Sequence, residues 1–456
     1  EKKALGMVET TLTEMARGGI YDHLGGGFHR YSTDHKWHVP HFEKMLYDNG
    51  QLISLYSDAY KLTQNPLYKK IIEKSLDFVK KEWKTTEGGF FSALDADSLN
   101  DTEHLEEGAF YVWKIPQLKA IIKDDFEIFS QVFNINSFGL WEDENYVLIQ
   151  NQSLDTIAET NHISVDDLEK KKKNWEQLLY TEREKRAKPR LDDKCLTSWN
   201  AIMLKGYVDA YKALGNQDYL NTALENANFI IKNLWSTEGH LFHNYKNGKS
   251  TINGYLEDYC FVIAAFISIY EVTWDEKWLH DAKQLVDYSL EHFYDEQHSF
   301  FRFTSDKDEA LISVHFETED NVIPASNSVM AKNLYQLSIY FNNSYYEKVA
   351  KQMLSILLPN IDYPSAYSNW LDLALTISEQ NKELAICGPK AKNHNGFING
   401  LYIPNVIVAG SEKTSSLPFL NDRFVENKTL FYVCQNKTCQ LPTEDFQEVI
   451  NQLSLK

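Results

Sequence analysis

Between Tyr219 and Leu234 the apolar positions Ala223, Ala227, Ile230, Ile231 and Leu234 recur at intervals of three and four, which marks an amphipathic helix with one buried stripe. The same pattern recurs elsewhere in register. The segments "LYKKIIEKSLDFVKKEWKTTEGGFF", "DYLNTALENANFIIKNLWSTEGHLF" and "KWLHDAKQLVDYSLEHFYDEQHSFF" align without gaps. Tyr68 to Phe90, Tyr219 to Leu241 and Trp278 to Phe300 are each 22 steps apart, so one supersecondary unit is used repeatedly. Between these stripes stand helical segments that are apolar nearly all round: "SWNAIMLKGYVDAYKAL", "EDYCFVIAAFISIYEV" and "SNSVMAKNLYQLSIYF". Helices of that kind are buried on most sides.

A buried helix followed by an amphipathic one, with a period of about 60 residues, predicts inner and outer rings of helices. The expected fold is all-α, an (α/α)6 toroid with short β-hairpins in its loops. A solenoid of helical pairs is the competitor, but its repeats run to about 34–47 residues and lack long aromatic loops. One closed barrel also accommodates a chain longer than the usual single core of about 250–300 residues. Past residue 382 the pattern changes: "ELAICG", "YIPNVIVAG" and "LFYVC" are short β-branched or aromatic runs set off by Gly and Pro. The expected organisation is a barrel over 1–382, with its first inner helix missing, and a small α/β extension over 383–456 packed on it.

The stretch "GGGFHRYSTDHKWHVPHFEKM", residues 25–45, is too irregular for one element. Gly25, Gly26 and Gly27 permit backbone angles closed to other residues. Pro40 suits the first turn of a following inner helix, "PHFEKMLYDNGQLISLYSDAYKL", so the loop would feed a helix start facing the central cavity. Counting back 12 from Tyr60, Tyr211, Tyr270 and Tyr340 gives Asp48, Trp199, Asp258 and Ser328, with Glu43, Ser198, Asn200, Glu257, Ser326 and Asn327 nearby. Polar groups at one cavity level need partners or a ligand. Helix capping is the alternative for Ser198 and Ser326, whereas Asp48 is expected more than one turn inside its helix.

With 46 Lys+Arg against 65 Asp+Glu, the formal charge of −19 argues against nucleic acid as a partner. No run of about 18 apolar residues is present, so no membrane span is expected. Five cysteines are too few for a disulfide scaffold and point to a reducing, cytoplasmic setting; Cys434 and Cys439 are expected to be inert thiols rather than a redox or metal pair. The chain begins with Glu and is at once helix-like, so it is expected to start inside a longer protein.

The motifs "GGIYDHLGGGFHRYSTDHKWHVPHFEKMLYDNGQL", "GGFFSALDADS", "EGAFYVW", "LDDKCLTSWNAIM", "LEDYCFVIAAFISIYEVTWDEKWL" and "PASNSVMAKNL" resemble those of the thioredoxin-domain-fused barrel family that includes spermatogenesis-associated protein 20. The resemblance runs from residue 1 to "YVCQNKTC". It implies an N-terminal thioredoxin-like domain removed here, residues 1–17 as an outer helix without its inner partner, and a toroid related to N-acylglucosamine 2-epimerases and six-hairpin glycosidases. Ala325 and Ser326 depart from the usual "PSGNS" but leave Asn327 and Ser328 in place.

Glycoside hydrolysis needs two carboxyl groups about 5–5.5 Å or about 6.5–9.5 Å apart; epimerisation beside a carbonyl needs an acid and a base near pKa 7. The candidate catalytic residues are Glu43, Asp48, Asp193, Asp258, His38 and His41. Asp95, Asp97 and Asp192 are further carboxylates, and His315 is a late histidine in an unfamiliar context. Arg30, Trp37, Lys44, Trp199, Asn200, Glu257 and Asn327 are candidate substrate-binding groups: flat rings for sugar C–H faces, amides and acids for hydroxyls, cations for a carboxylate. His38 and His41 with His29 or His35 could meet an ion, but regular ligand spacing is missing, so neither metal nor cofactor is expected. The expected ligand is a small sugar or sugar acid, handled by a carbohydrate-active barrel. The alternative is a non-catalytic scaffold working with the fused thioredoxin-like domain.

Overall fold

The computed structural model describes residues 2–309, 312–379, 381–436 and 438–453. The fold is all-α, of the (α/α)6 hairpin class, with short β-hairpins in the loops and an α/β element at the C-terminal end. The chain divides into two compact units, residues 1–86 with 90–194 and residues 87–89 with 195–456.

The first unit holds α1 (Lys2–Arg17), the hairpin of α2 (Leu46–Thr63) and α3 (Pro66–Glu82), and a helical group of α4 (Ile115–Ile122), α5 (Phe126–Val132), α6 (Leu154–Thr160) and α7 (Val165–Arg183). α3 starts as its sequence directs: the Asn65 side chain accepts from the Leu67 amide, and Pro66 occupies the first turn, where no N–H is needed. The group α4–α7 closes on a core that includes Trp113, Phe129, Phe133 and Trp175.

The inner helix α2 begins later than Pro40 led one to expect. Pro40–His41 forms a strand paired with Tyr31–Ser32, and Lys44–Met45 pairs with Ala93–Leu94, so the backbone is extended up to Leu46. Asp48 therefore lies in the first helical turn, not beyond it. Two glycines let this loop close. Gly26 has φ +80°, and a Cβ on Gly25 would come within 2.3 Å of Arg183 Nη2. Buried Asn49 clamps the loop, accepting from the Phe28 amide (2.8 Å) and donating to the Phe28 carbonyl (3.0 Å). Asn49→Leu is therefore expected to strand both groups and cost about 2–3 kcal/mol, measured by chemical denaturation.

The second unit carries three hairpins: α8 (Thr197–Leu214) with α9 (Gln217–Phe229), α10 (Leu256–Thr273) with α11 (Lys277–His292), and α12 (Ser326–Tyr340) with α13 (Ser344–Leu357). α10 lies between α8 and α12, so the apolar helices are mutual neighbours and the amphipathic ones cover them. Then follow α14 (Ser368–Ser378), α15 (Lys392–Asn399) and α16 (Phe446–Gln452). α15 and α16 pack together on one face of a sheet in which Lys382–Cys387 runs parallel to Val406–Ser411 and antiparallel to Leu430–Gln435. Leu384, Ile386, Val408 and Val433 of that sheet pack with Trp274 at the end of α10.

Cys434 and Cys439 are bonded to each other rather than free thiols. They sit directly opposite in an antiparallel pair, which brings two residues five apart in sequence within bonding reach. Their pairing removes the cysteine argument for a reducing setting. No helix among the described residues is long and apolar enough to cross a membrane.

Candidate active site: two histidine–carboxylate clusters

In the second unit the starts of α8 and α10 meet a β-hairpin loop. Asp258, fully buried in the first turn of α10, accepts from the amides of Tyr255 (2.9 Å) and Ser198 (2.9 Å). It thereby caps its own helix and its neighbour, placing a carboxylate where both helix dipoles favour one. Neither Ser198 nor Ser326 acts as a side-chain cap, contrary to the capping alternative. The N-caps of their helices are Leu196 and Ala325, which make no side-chain cap bond. The Ser198 hydroxyl instead donates to Glu257 (3.1 Å), and the Ser326 amide donates to Glu317 (3.1 Å).

The oxygen that accepts from the Tyr255 amide, Oδ2, also faces His243 Nδ1 at 3.0 Å. A histidine so held presents its other nitrogen as the working one. Burial pulls the His243 imidazole down, but the hydrogen bond and charge of Asp258 outweigh this and hold it above its ordinary value. Glu257 moves upward too: burial, then the charge of Asp258, pushes its carboxyl to about 7. The ring of His243 lies 4.8 Å from Tyr255, which stacks on Phe303 at 5.0 Å. Ligand atoms of His243, Glu257 and Asp258 lie within 4.8 Å of one another, a spacing that could hold a cation, although the Nδ1–Asp258 bond already occupies two of them.

A second cluster of related composition stands at the start of α2, in the first unit. His41 Nδ1 faces Glu107 at 2.7 Å, and its Nε2 lies 3.6 Å from Glu43. Arg30 donates to Glu43 (3.2 Å) and to the Tyr47 hydroxyl (3.1 Å). Burial pushes the Asp48 carboxyl to about 7, with Arg30 opposing and Glu43 adding to the shift, and Asp48 Oδ2 is buried without a hydrogen-bond partner. Exposed Tyr31 stacks on the His41 ring at 5.1 Å.

The sequence candidates thus divide. Arg30, His41, Glu43 and Asp48 come together in one unit, Glu257 and Asp258 in the other. His38 is taken up in packing, bonded to the Gly139 carbonyl and stacked on Phe138. Lys44 is buried against Asp22 at 2.8 Å, far from solvent. Asn200 donates to the Leu196 carbonyl and accepts from Asn226, and Asn327 holds both the amide and the carbonyl of Phe301, so both amides secure loops. Trp37 is half-buried at φ +59°, its carbonyl accepting from the Gly19 amide; Trp199 is half-buried in the first turn of α8. Asp193 is half-buried in the turn before strand Cys195–Leu196.

His243 and Glu317 were not foreseen. The repeat register could have found His243, two residues past Leu241 and hence equivalent to Ser92; both carbonyls accept from the first amide of an inner helix, Thr197 and Leu46 respectively.

The raised Asp48 carboxyl makes a pH prediction. Its folded value lies above that of the unfolded chain, so the native state holds an extra proton between about pH 4 and pH 7 and loses stability as pH rises through that window. Asp48→Asn is expected to stabilise the protein by about 2 kcal/mol at pH 8, the gain shrinking toward zero near pH 4, measured by calorimetry across pH.

No protein-family model matches the chain. Spermatogenesis-associated protein 20 of Homo sapiens is 31% identical over 97% of this chain and 62% of its own length, and that of Mus musculus is 30% identical over 97% and 61%. The chain therefore spans about three fifths of the length of these relatives. Among solved structures, cellobiose 2-epimerase from Bacillus thermoamylovorans is similar with a TM-score of 0.49 at 12% identity, covering 78% of this chain and 72% of that one. The GH76 α-mannanase of Bacteroides thetaiotaomicron gives a TM-score of 0.45 at 12% identity, covering 90% of each. Over nearly its whole length, then, the chain is a homologue of spermatogenesis-associated protein 20.

Proposed function

We propose that the His243–Asp258–Glu257 cluster is a general acid/base centre that isomerises or epimerises a small sugar or sugar acid beside its carbonyl. The observation that carries this reading is the pairing of a carboxyl raised to about 7 with an imidazole held by a buried carboxylate. Such a pair can donate and accept a proton near neutral pH. In the proposed reaction His243 Nε2 removes the proton from the carbon next to the carbonyl. The Glu257 carboxyl gives its proton to the carbonyl oxygen, and the C=C of an enediol forms as the C–H bond breaks. The proton on His243 then returns to the neighbouring carbon, for isomerisation, or to the other face of the same carbon, for epimerisation. As that C–H bond forms, the enediol hydroxyl that becomes the new carbonyl gives its proton back to Glu257, so neither oxidant nor cofactor is consumed. The Ser198 hydroxyl fixes Glu257, and the Tyr255–Phe303 stack offers a flat apolar face for sugar C–H groups.

The test is proton exchange. A panel of aldoses, ketoses and uronic acids is incubated with the protein in D2O, and deuterium at the carbon beside the carbonyl is followed by NMR. Exchange that disappears in His243→Asn, with the fold intact by circular dichroism, supports the proposal. Exchange unchanged in that variant, or no exchange with any member of the panel, overturns it and leaves the scaffold reading.

A further inference from the structure

In the first unit a cleft of about 300 Å³ lies between α3 and α7, away from the His41 cluster. Its base rests on the buried carboxylate of Asp22, which accepts from Arg183 through both terminal nitrogens (2.8 and 2.9 Å) and from Lys44 (2.8 Å). One buried anion thus faces two buried cations. Arg183 Nε has no hydrogen-bond partner, and the guanidinium spreads over the rings of Phe110 (5.0 Å) and Tyr111 (5.4 Å). Around the cleft six cationic side chains stand against five carboxylates, a local excess of positive charge in a chain that carries −19 overall. Lys74 and Lys188 are ion-paired, with Glu176 and Glu82, while Lys173 at the exposed mouth makes no ion pair among the described residues. Phe78, Phe110 and Tyr111 supply aromatic walls.

We propose that this cleft is a second ligand site, which takes a small aromatic carboxylate: the ring against the aromatic walls, the charge against the one surplus cation, with Lys173 at the mouth. The surplus selects for an anion, because a neutral or cationic guest would leave it uncompensated. A cleft of this volume with apolar walls and a few convergent charges suits a guest of about ten heavy atoms. The site shares no residue with the acid/base centre and stands independently of it.

The experiment is isothermal titration of the full chain with 3-phenylpropanoate, with 3-phenylpropanamide and with 3-phenylpropylamine. The carboxylate is expected to bind at about millimolar or tighter, the amide about tenfold more weakly, and the amine without measurable heat. Lys173→Glu at the mouth is expected to weaken the carboxylate several-fold and to flatten its salt dependence, and Asp77→Lys to tighten it. Gln177→Trp, also exposed at the mouth, blocks entry and abolishes binding, while His243→Asn leaves it unchanged. All four positions avoid the buried cluster, so folding is retained and checked by circular dichroism. Equal binding of carboxylate and amine, binding indifferent to Gln177→Trp, or no heat from the carboxylate at millimolar concentration would each overturn the assignment.

Discussion

Asp22→Asn is expected to cost the protein about 3–5 kcal/mol, far more than Lys44→Met at the same cluster, which should cost about 1–2 kcal/mol. The asymmetry follows from charge. Asp22 accepts five donors, from Leu24, Gly25, Lys44 and twice from Arg183, and it is the anion between two buried cations. Burial alone would raise its carboxyl, yet Arg183 and then Lys44 hold it well below the usual carboxylate range. Neutralising it leaves Arg183 and Lys44 repelling each other without water. Removing Lys44 instead leaves the two-pronged Asp22–Arg183 pair balanced, and a methionine fills the place of the lysine stem beside Phe78. What is lost is one of the five bonds to Asp22 and the bond to the Gly26 carbonyl. The Asp22→Asn penalty should also soften at high pH. Lys44 is already brought down by burial to about 8, and without its anion it sheds its proton more readily. Urea denaturation of both variants at pH 7 and pH 9 checks the ordering; a Lys44→Met loss equal to that of Asp22→Asn would refute the charge argument.

This cluster also shows where sequence reading stops. The helices were legible because a stripe at intervals of three and four survives in any packing, and α9 and α11 start close to the aromatics that set the register, Tyr219 and Trp278. The strands of the C-terminal element were legible for the same local reason. As a cation in a polar loop, Lys44 reads either as a partner for Asp34, Glu43 or Asp48 or as a group for a substrate carboxylate. Nothing local announces that Asp22 and Arg183, 161 residues apart, converge on it. Pro40 misled for a related reason: its fixed φ fits a helix start and an extended strand alike, and pairing with Ser32 decided for the strand. Two of the three members of the His243 cluster are visible in the sequence, since Glu257 and Asp258 fall at a rung fixed by the register of the inner helices. His243 stands apart from the dense histidines of residues 23–41, and nothing local shows that Asp258 selects this one from a loop.

Glu257→Gln should move activity and stability in opposite directions, an outcome that a purely structural carboxyl would not give. Glutamine keeps the shape and can still meet the Ser198 hydroxyl, but it has no acidic proton, so sugar exchange should fall by about 10²–10⁴-fold. Stability runs the other way. The Glu257 carboxyl is raised to about 7, above its value in the unfolded chain, so ionising it in place opposes folding; its cost is absent near pH 4, grows as pH rises, and is complete above about pH 7. Removing the charge should therefore stabilise the protein by about 2 kcal/mol at pH 8 and leave it nearly unchanged at pH 4. The wild-type rate should trace a bell, falling above pH 7 as Glu257 loses its proton and falling on the acid side as His243 gains one. The two limbs belong to the coupled pair rather than to either residue alone. In Glu257→Gln the alkaline limb should vanish with the rate, while His243→Asn should remove the rate without the gain in stability. Calorimetry and D2O exchange on the same samples read both quantities; an inactive Glu257→Gln that is also less stable at pH 8 would mean the carboxyl holds the helix starts together instead of handling a proton.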